Sequence, residues 1–180
     1  MLTVIVPGVE SYDEAAERFV SSPEVTLELE HSLVSLSKWE SLWEKPFLSM
    51  TAKTNEETLS YIELMCVTPN VPPEVFHRLP DDVLQQINRY LNAKMTATWF
   101  YDDPSKKSNR EVLTAEVLYS WMVQFGIPIE CDKWHLSRLL TLVRVRGEQM
   151  SPPKKMSSRE ILARNRRLNE ERKAALNTTG

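Results

Sequence analysis

The residues of this 180-residue chain that could do chemistry are three histidines, two cysteines, five tryptophans and a pair of glutamates one helical turn apart. A nucleophilic enzyme needs a serine or cysteine beside a base that a third group orients, and His31, His77 and His135 stand in no such context. Cys131 and His135 are four apart and would share a helical face, but zinc takes three or four ligands and no second pair lies nearby. Cys66 and Cys131 lie far apart on segments that read as helical, so they are expected as two buried reduced thiols. Glu40 and Glu44 could form an acid and base pair if burial split their pKa values; next to Lys38 and Lys45 they read as a solvated face. The only glycines are Gly8, Gly126, Gly147 and Gly180, and no Walker or GxGxxG sequence uses them to cradle a phosphate. The residues therefore assign no catalytic centre, no metal ion and no cofactor, and the chain is expected not to be an enzyme.

The aromatic residues carry a different possibility. Trp39, Trp43, Trp99, Trp121 and Trp134 could be stacking platforms for single-stranded nucleic acid, yet each sits on or beside an apolar stripe, which points to core packing. Trp39 and Trp43, one turn apart beside Lys38, are the pair best placed for an interaction surface. The other candidate surface is the C-terminal segment, with Arg159, Leu162, Arg164, Arg167 and Leu168 as its partner-binding residues. Its readings are docking on a protein partner, then a solvated helix, then a phosphate-contacting arm, because Glu160, Glu170 and Glu171 dilute its positive field.

Those residues must be held by a mainly helical domain with a small N-terminal β element. Leu2 to Val6 and Val25 to Leu29 have the β-branched or alternating character of strands, and the stretch from Tyr12 to Val20 is open between a helical turn and a further strand. Leu33, Leu36, Trp39 or Glu40, and Trp43 then recur at helical steps, predicting a helix over 31–45 that Pro46 stops. Thr54 and Glu57 have capping-box spacing before a helix with Leu59, Ile62, Met65 and Cys66 on one stripe. Val75 to His77 reads as a short turn, and Pro80-Asp81-Asp82 opens a helix that buries Val83, Ile87, Tyr90 and Leu91. Met95 to Tyr101 suits an extended strand, followed by a polar loop over 102–107. Ser108 to Glu111 reads as a second capping box, starting a helix with Val112, Ala115, Leu118 or Tyr119, and Met122 that ends at Gly126. Asp132 is expected to cap the next helix, where Leu136, Leu139, Leu140 and Val143 pack and Arg138, Arg144 and Arg146 reach outward. Ser157 and Glu160 make a third capping box, before a last helix over about residues 158–175.

Charge divides the chain more sharply than pattern does. Residues 153–180 hold eight basic and three acidic side chains, net +5, which leaves the rest with 14 basic and 22 acidic, net −8. The expected organisation is a helical domain over 1–150 and a basic helical extension over 151–180. No apolar run is long enough to span a bilayer, and Met1 to Pro7 lacks the basic start of a secretory signal, so a soluble intracellular protein is expected.

Several longer words identify a resemblance: Leu29-Glu30-His31-Ser32-Leu33, Ser37-Lys38-Trp39-Glu40, Trp43-Glu44-Lys45-Pro46-Phe47 and Met95-Thr96-Ala97-Thr98. To these are added Asn109-Arg110-Glu111, Lys133 through Leu142, Pro152 to Met156, Leu168-Asn169-Glu170 and the terminal Leu176 to Gly180. Together they resemble a family of tail-region proteins of tailed bacteriophages that are described as tail assembly chaperones. The resemblance implies a non-enzymatic protein that binds a helical partner such as the tape-measure protein, in the host cytoplasm during assembly. It equally admits a minor structural protein retained in the virion. A nucleic-acid-binding accessory and self-association are the further readings, and no membrane is implied.

Overall fold

The computed structural model describes residues 1–13, 18–49, 51–100, 112–150 and 158–176. Strand β1 (Leu2–Val6) pairs antiparallel with β4 (Val25–Leu29), and β2 (Val9–Asp13) pairs antiparallel with β3 (Arg18–Ser22). Within the open stretch from Tyr12 to Val20, the described residues 12–13 and 18–20 belong to paired strands, and 14–17 lie outside the described residues. The register runs from Leu2 opposite Leu29 to Val6 opposite Val25, then from Val9 opposite Ser22 to Asp13 opposite Arg18. Gly8 lies at the joint between the two pairs because a Cβ there would stand 2.8 Å from the Ser22 carbonyl oxygen. Val4, Val6, Leu27 and Leu29 alternate inward and are buried, the period-two pattern of a sheet with one wet face.

Helix α1 (Leu33–Trp43) starts two residues later than its apolar spacing predicts, because Ser32 and Ser35 form a reciprocal capping box. Helix α2 (Asn55–Met65) begins where the Thr54 and Glu57 box places it, and α3 (Glu74–His77) is the short turn between prolines. Helix α4 (Asp81–Leu91) follows Pro80, with Asp81 and Asp82 at its positive end. Past α2 the chain lies along the free edge of β4: Cys66 bridges Leu29, Glu30 N–H donates to the Met65 carbonyl at 2.9 Å, and Val67 N–H to that of Glu28 at 2.9 Å. Cys66 is therefore past its helix and half-buried, whereas Cys131 is buried on a 3-10 turn (Ile129–Lys133); both are free thiols.

Helices α5 (Ala115–Gln124) and α6 (Leu136–Met150) complete a second apolar cluster. Four expectations change here. Residues 95–100 pair with no strand; Met95 has φ of 48°, a left-handed turn that breaks the extended run, and Tyr101 lies outside the described residues. The box at Ser108 to Glu111 also lies outside them, and α5 starts at Ala115 with Val112 exposed before it. Asp132 belongs to the 3-10 turn, and the first turn of α6 is met instead by His135, whose Nδ1 accepts from Ser137 N–H at 3.3 Å. Arg146 turns inward, where Nη2 donates to the Phe125 carbonyl at 2.9 Å and so covers the end of α5.

Helix α1 serves both cores. Its Trp39 packs with the sheet, α2, α3 and α4, while its Leu33 and Leu36 pack with α5 and α6. Burying both faces also buries Glu40, which the sequence reads as solvated. Its carboxylate is held by two backbone donors, Phe47 N–H to Oε1 at 2.7 Å and Ala115 N–H to Oε2 at 2.6 Å. Charge-assisted bonds of this kind offset the cost of taking a carboxylate out of water. The second also supplies α5 with the cap that Thr114 does not make.

Two compact units result, 1–147 and 148–180, a division three residues earlier than the charge pattern places it. The second unit holds α7 (Ser158–Leu176), at the position predicted for the last helix, while Ser157 of its expected capping box lies outside the described residues. No helix among the described residues is long and apolar enough to cross a membrane.

Candidate functional site: partner surfaces and a buried histidine pair

The two histidines that stand far apart in sequence come together at the N-terminus of α6. His31 and His135 rings lie edge to face at 5.1 Å, and Ser32 bridges the His135 backbone. Each ring is tied down: His31 Nδ1 bonds the Tyr61 hydroxyl, and His135 Nε2 bonds the Tyr90 carbonyl at 3.0 Å. The Tyr90 hydroxyl donates to Glu30 at 2.6 Å, and the other oxygen of Glu30 pairs with the Met1 amino group at 2.9 Å.

Burial, with His135 alongside, pushes the His31 imidazole down to about 4, against the opposing pull of Glu30. His135 is lowered too, mainly by burial, while burial raises the Tyr61 and Tyr90 phenols. Both imidazoles are thus neutral near pH 7, and each joins two distant segments: His31 to α2, His135 to the end of α4. Such a closed, satisfied network fixes packing. Among the described residues no group of three or more histidine, cysteine or acidic side chains is placed to hold a metal ion.

The candidate partner residues divide. Trp39 is 1% exposed, with its indole N–H donating to the Glu57 carbonyl at 2.9 Å, so it is a core residue and closed to a partner. Its neighbour Trp43 stacks on it at 6.1 Å but is only half-buried, and bonds Ser60 through its indole N–H at 3.1 Å. Trp43 lines a groove of about 420 Å³ between α1, α2 and α3 with Leu42, Leu59 and Phe76, and Glu56 and Glu63 stand on its rim. Leu42 is 64% exposed there. The i to i+7 spacing of Glu56 and Glu63 on α2, on the side that also bears Leu59, is the signal that could have located this groove.

In α7, Leu162, Arg164, Arg167 and Leu168 are all exposed; the Arg159 side chain lies outside the described residues. Every described side chain from Leu162 to Lys173 is exposed, and Arg167 pairs with Glu171 at 3.3 Å and Arg166 with Glu170 at 3.8 Å. Such surface pairs one turn apart stabilise a helix by about 0.2–0.5 kcal/mol each, so α7 draws little on them.

Of the five tryptophans, Trp99 departs furthest from the core reading, being 79% exposed, while Trp121 and Trp134 are half-buried against the second apolar cluster. In comparisons with known proteins, no family model, curated protein or solved structure matches the chain.

Proposed function

We propose that the protein acts stoichiometrically in the assembly of a bacteriophage tail, as a chaperone-like factor that binds a helical partner such as the tape-measure protein. The observation that carries this reading is α7, a 19-residue helix whose described side chains are exposed and whose few leucines, Leu162, Leu168 and Leu176, lie among charges. A helix that is polar nearly all round gains little from its own chain and is suited to a surface outside it. Docking on a helical partner would cover those leucines and set Arg164 and Arg167 against its acidic side chains. The resemblance of the words around Trp39, Met95 and Lys133 to tail-region proteins supplies the biological setting.

The test is capture from phage-infected cells by tagged full-length protein and by a form ending at Met150, with a blot of purified particles alongside. Recovery of the tape-measure protein by the full chain alone, with the bait absent from mature particles, supports the reading. Equal recovery by the shortened form removes α7 as the contact, and a fixed copy number in particles makes the protein a structural component.

A further inference from the structure

We propose that the recess between the end of α4 and the outer face of α6 binds a nucleotide unit, its base stacked on Trp99 and its phosphate held by Lys94 and Arg144. The inference is independent of the tail-assembly reading. It begins from an indole that the fold leaves 79% exposed in a chain whose other tryptophans are buried or half-buried. Exposing that much aromatic surface costs hydrophobic free energy, and here it is combined with positive charge. Lys94 Nζ stands 5.5 Å from the Trp99 ring centre, and the Arg144 guanidinium lies 4.0 Å from that of Phe100. Two cation and aromatic pairs thus flank one recess of about 300 Å³, a volume within the range of small-ligand sites.

The rest of the lining fits the same ligand. Ser137, Thr141 and Arg144 are spaced along one face of α6, so two hydroxyls and a guanidinium reach the recess from a rigid element. Thr96 and Thr98 add two more hydroxyl side chains opposite them. No carboxylate is among the described lining residues, although acidic residues outnumber basic ones in the domain by 22 to 14. A cationic, hydroxyl-rich recess with an open π face, and with no carboxylate among its described lining residues, selects an anion that also carries a flat ring. A nucleotide, free or within a single strand, has both parts, and stacking accepts any base.

The experiment is a titration of full-length protein into a fluorescein-labelled oligothymidylate at low and high salt, followed by anisotropy. Trp99→Ala should weaken binding about tenfold or more, as loss of one stacked base does. Arg144→Gln should lower the slope of log affinity against log salt by about 0.7, as loss of one phosphate contact does. Arg164→Ala/Arg167→Ala in α7 should leave the Trp99 dependence intact. Trp99 is so exposed that its truncation should not disturb the fold, which far-ultraviolet circular dichroism checks, and Lys94→Gln gives a second, milder variant. Competition separates the sources: displacement by thymidine monophosphate identifies a free nucleotide, and resistance to it identifies a strand. The proposal is overturned if wild-type protein does not bind at low salt, or if Trp99→Ala binds as well as wild type. It is equally overturned if polyglutamate displaces the oligonucleotide as readily from the Trp99→Ala variant as from wild type.

Discussion

The Glu40 carboxylate closes two backbone turns at once, at Phe47 in the loop after α1 and at Ala115 in the first turn of α5, where Thr114 makes no side-chain cap. Replacing it by alanine orphans both donors, and at about 1–3 kcal/mol for each buried unsatisfied group the loss should be about 2–6 kcal/mol. Urea denaturation measures it, with Glu40→Gln losing less because one acceptor oxygen remains. The His31 ring makes a pH prediction. Its folded pKa of about 4 lies below the model-compound value of 6.5, so between those values the unfolded chain binds more protons than the folded one. Stability from this group is complete above pH 6.5 and should fall by up to about 3 kcal/mol as the pH drops toward 4. His135 shifts the same way, while Glu30 opposes the His31 shift. Denaturation midpoints at pH 7 and pH 4.5 test this, and His31→Gln should flatten the difference.

Elements were legible where their signals were local. The Thr54 and Glu57 box, the acidic opening of α4 and the alternation of β1 and β4 each place an element from a few neighbouring residues. The start of α5 was not legible, because its capping acceptor comes from α1, 75 residues earlier, and no local pattern records that. The histidine pair was hidden for the same reason: its members meet through the packing of α6 beside β4 and α1, at a separation of 104 residues in number. Trp99 was misread because apolar neighbours in sequence say nothing of a left-handed residue at Met95 that turns the segment away from any strand partner. The candidate groove was half legible, through Trp43 alone. At this scale the joint at Gly8 is the sharpest test. A Cβ 2.8 Å from a backbone oxygen forces the strands apart, so Gly8→Ala should cost about 1–3 kcal/mol, read as a lower thermal midpoint. Gly126→Ala, at φ of +63° with its Cβ in no more than ordinary contact with Arg146 Nη2 at 3.9 Å, should cost nearer 1 kcal/mol.

Across residues 1–147 the two apolar clusters are joined by one helix that both require, since Trp39 belongs to one and Leu33 and Leu36 to the other. They should therefore unfold together. Fluorescence, which follows the tryptophans of both clusters, and far-ultraviolet circular dichroism, which follows helix, should give coincident urea transitions; two separated transitions would show that α1 does not couple the clusters. Residues 148–180 form the other unit, and with the described side chains of α7 exposed, a chain ending at Met150 should keep the unfolding free energy of the full chain to within about 0.5 kcal/mol. The division between the two units falls inside α6, which runs three residues past it. The bridging carboxylate at position 40 has a consequence for how the gene can change. Because both of its partners are main-chain amides, which every residue other than proline supplies, no second substitution at 47 or 115 can restore what a change at 40 removes. Among descendants of this sequence, position 40 should accordingly be held fixed without any covarying partner, while the side chains at 47 and 115 drift under their own packing constraints.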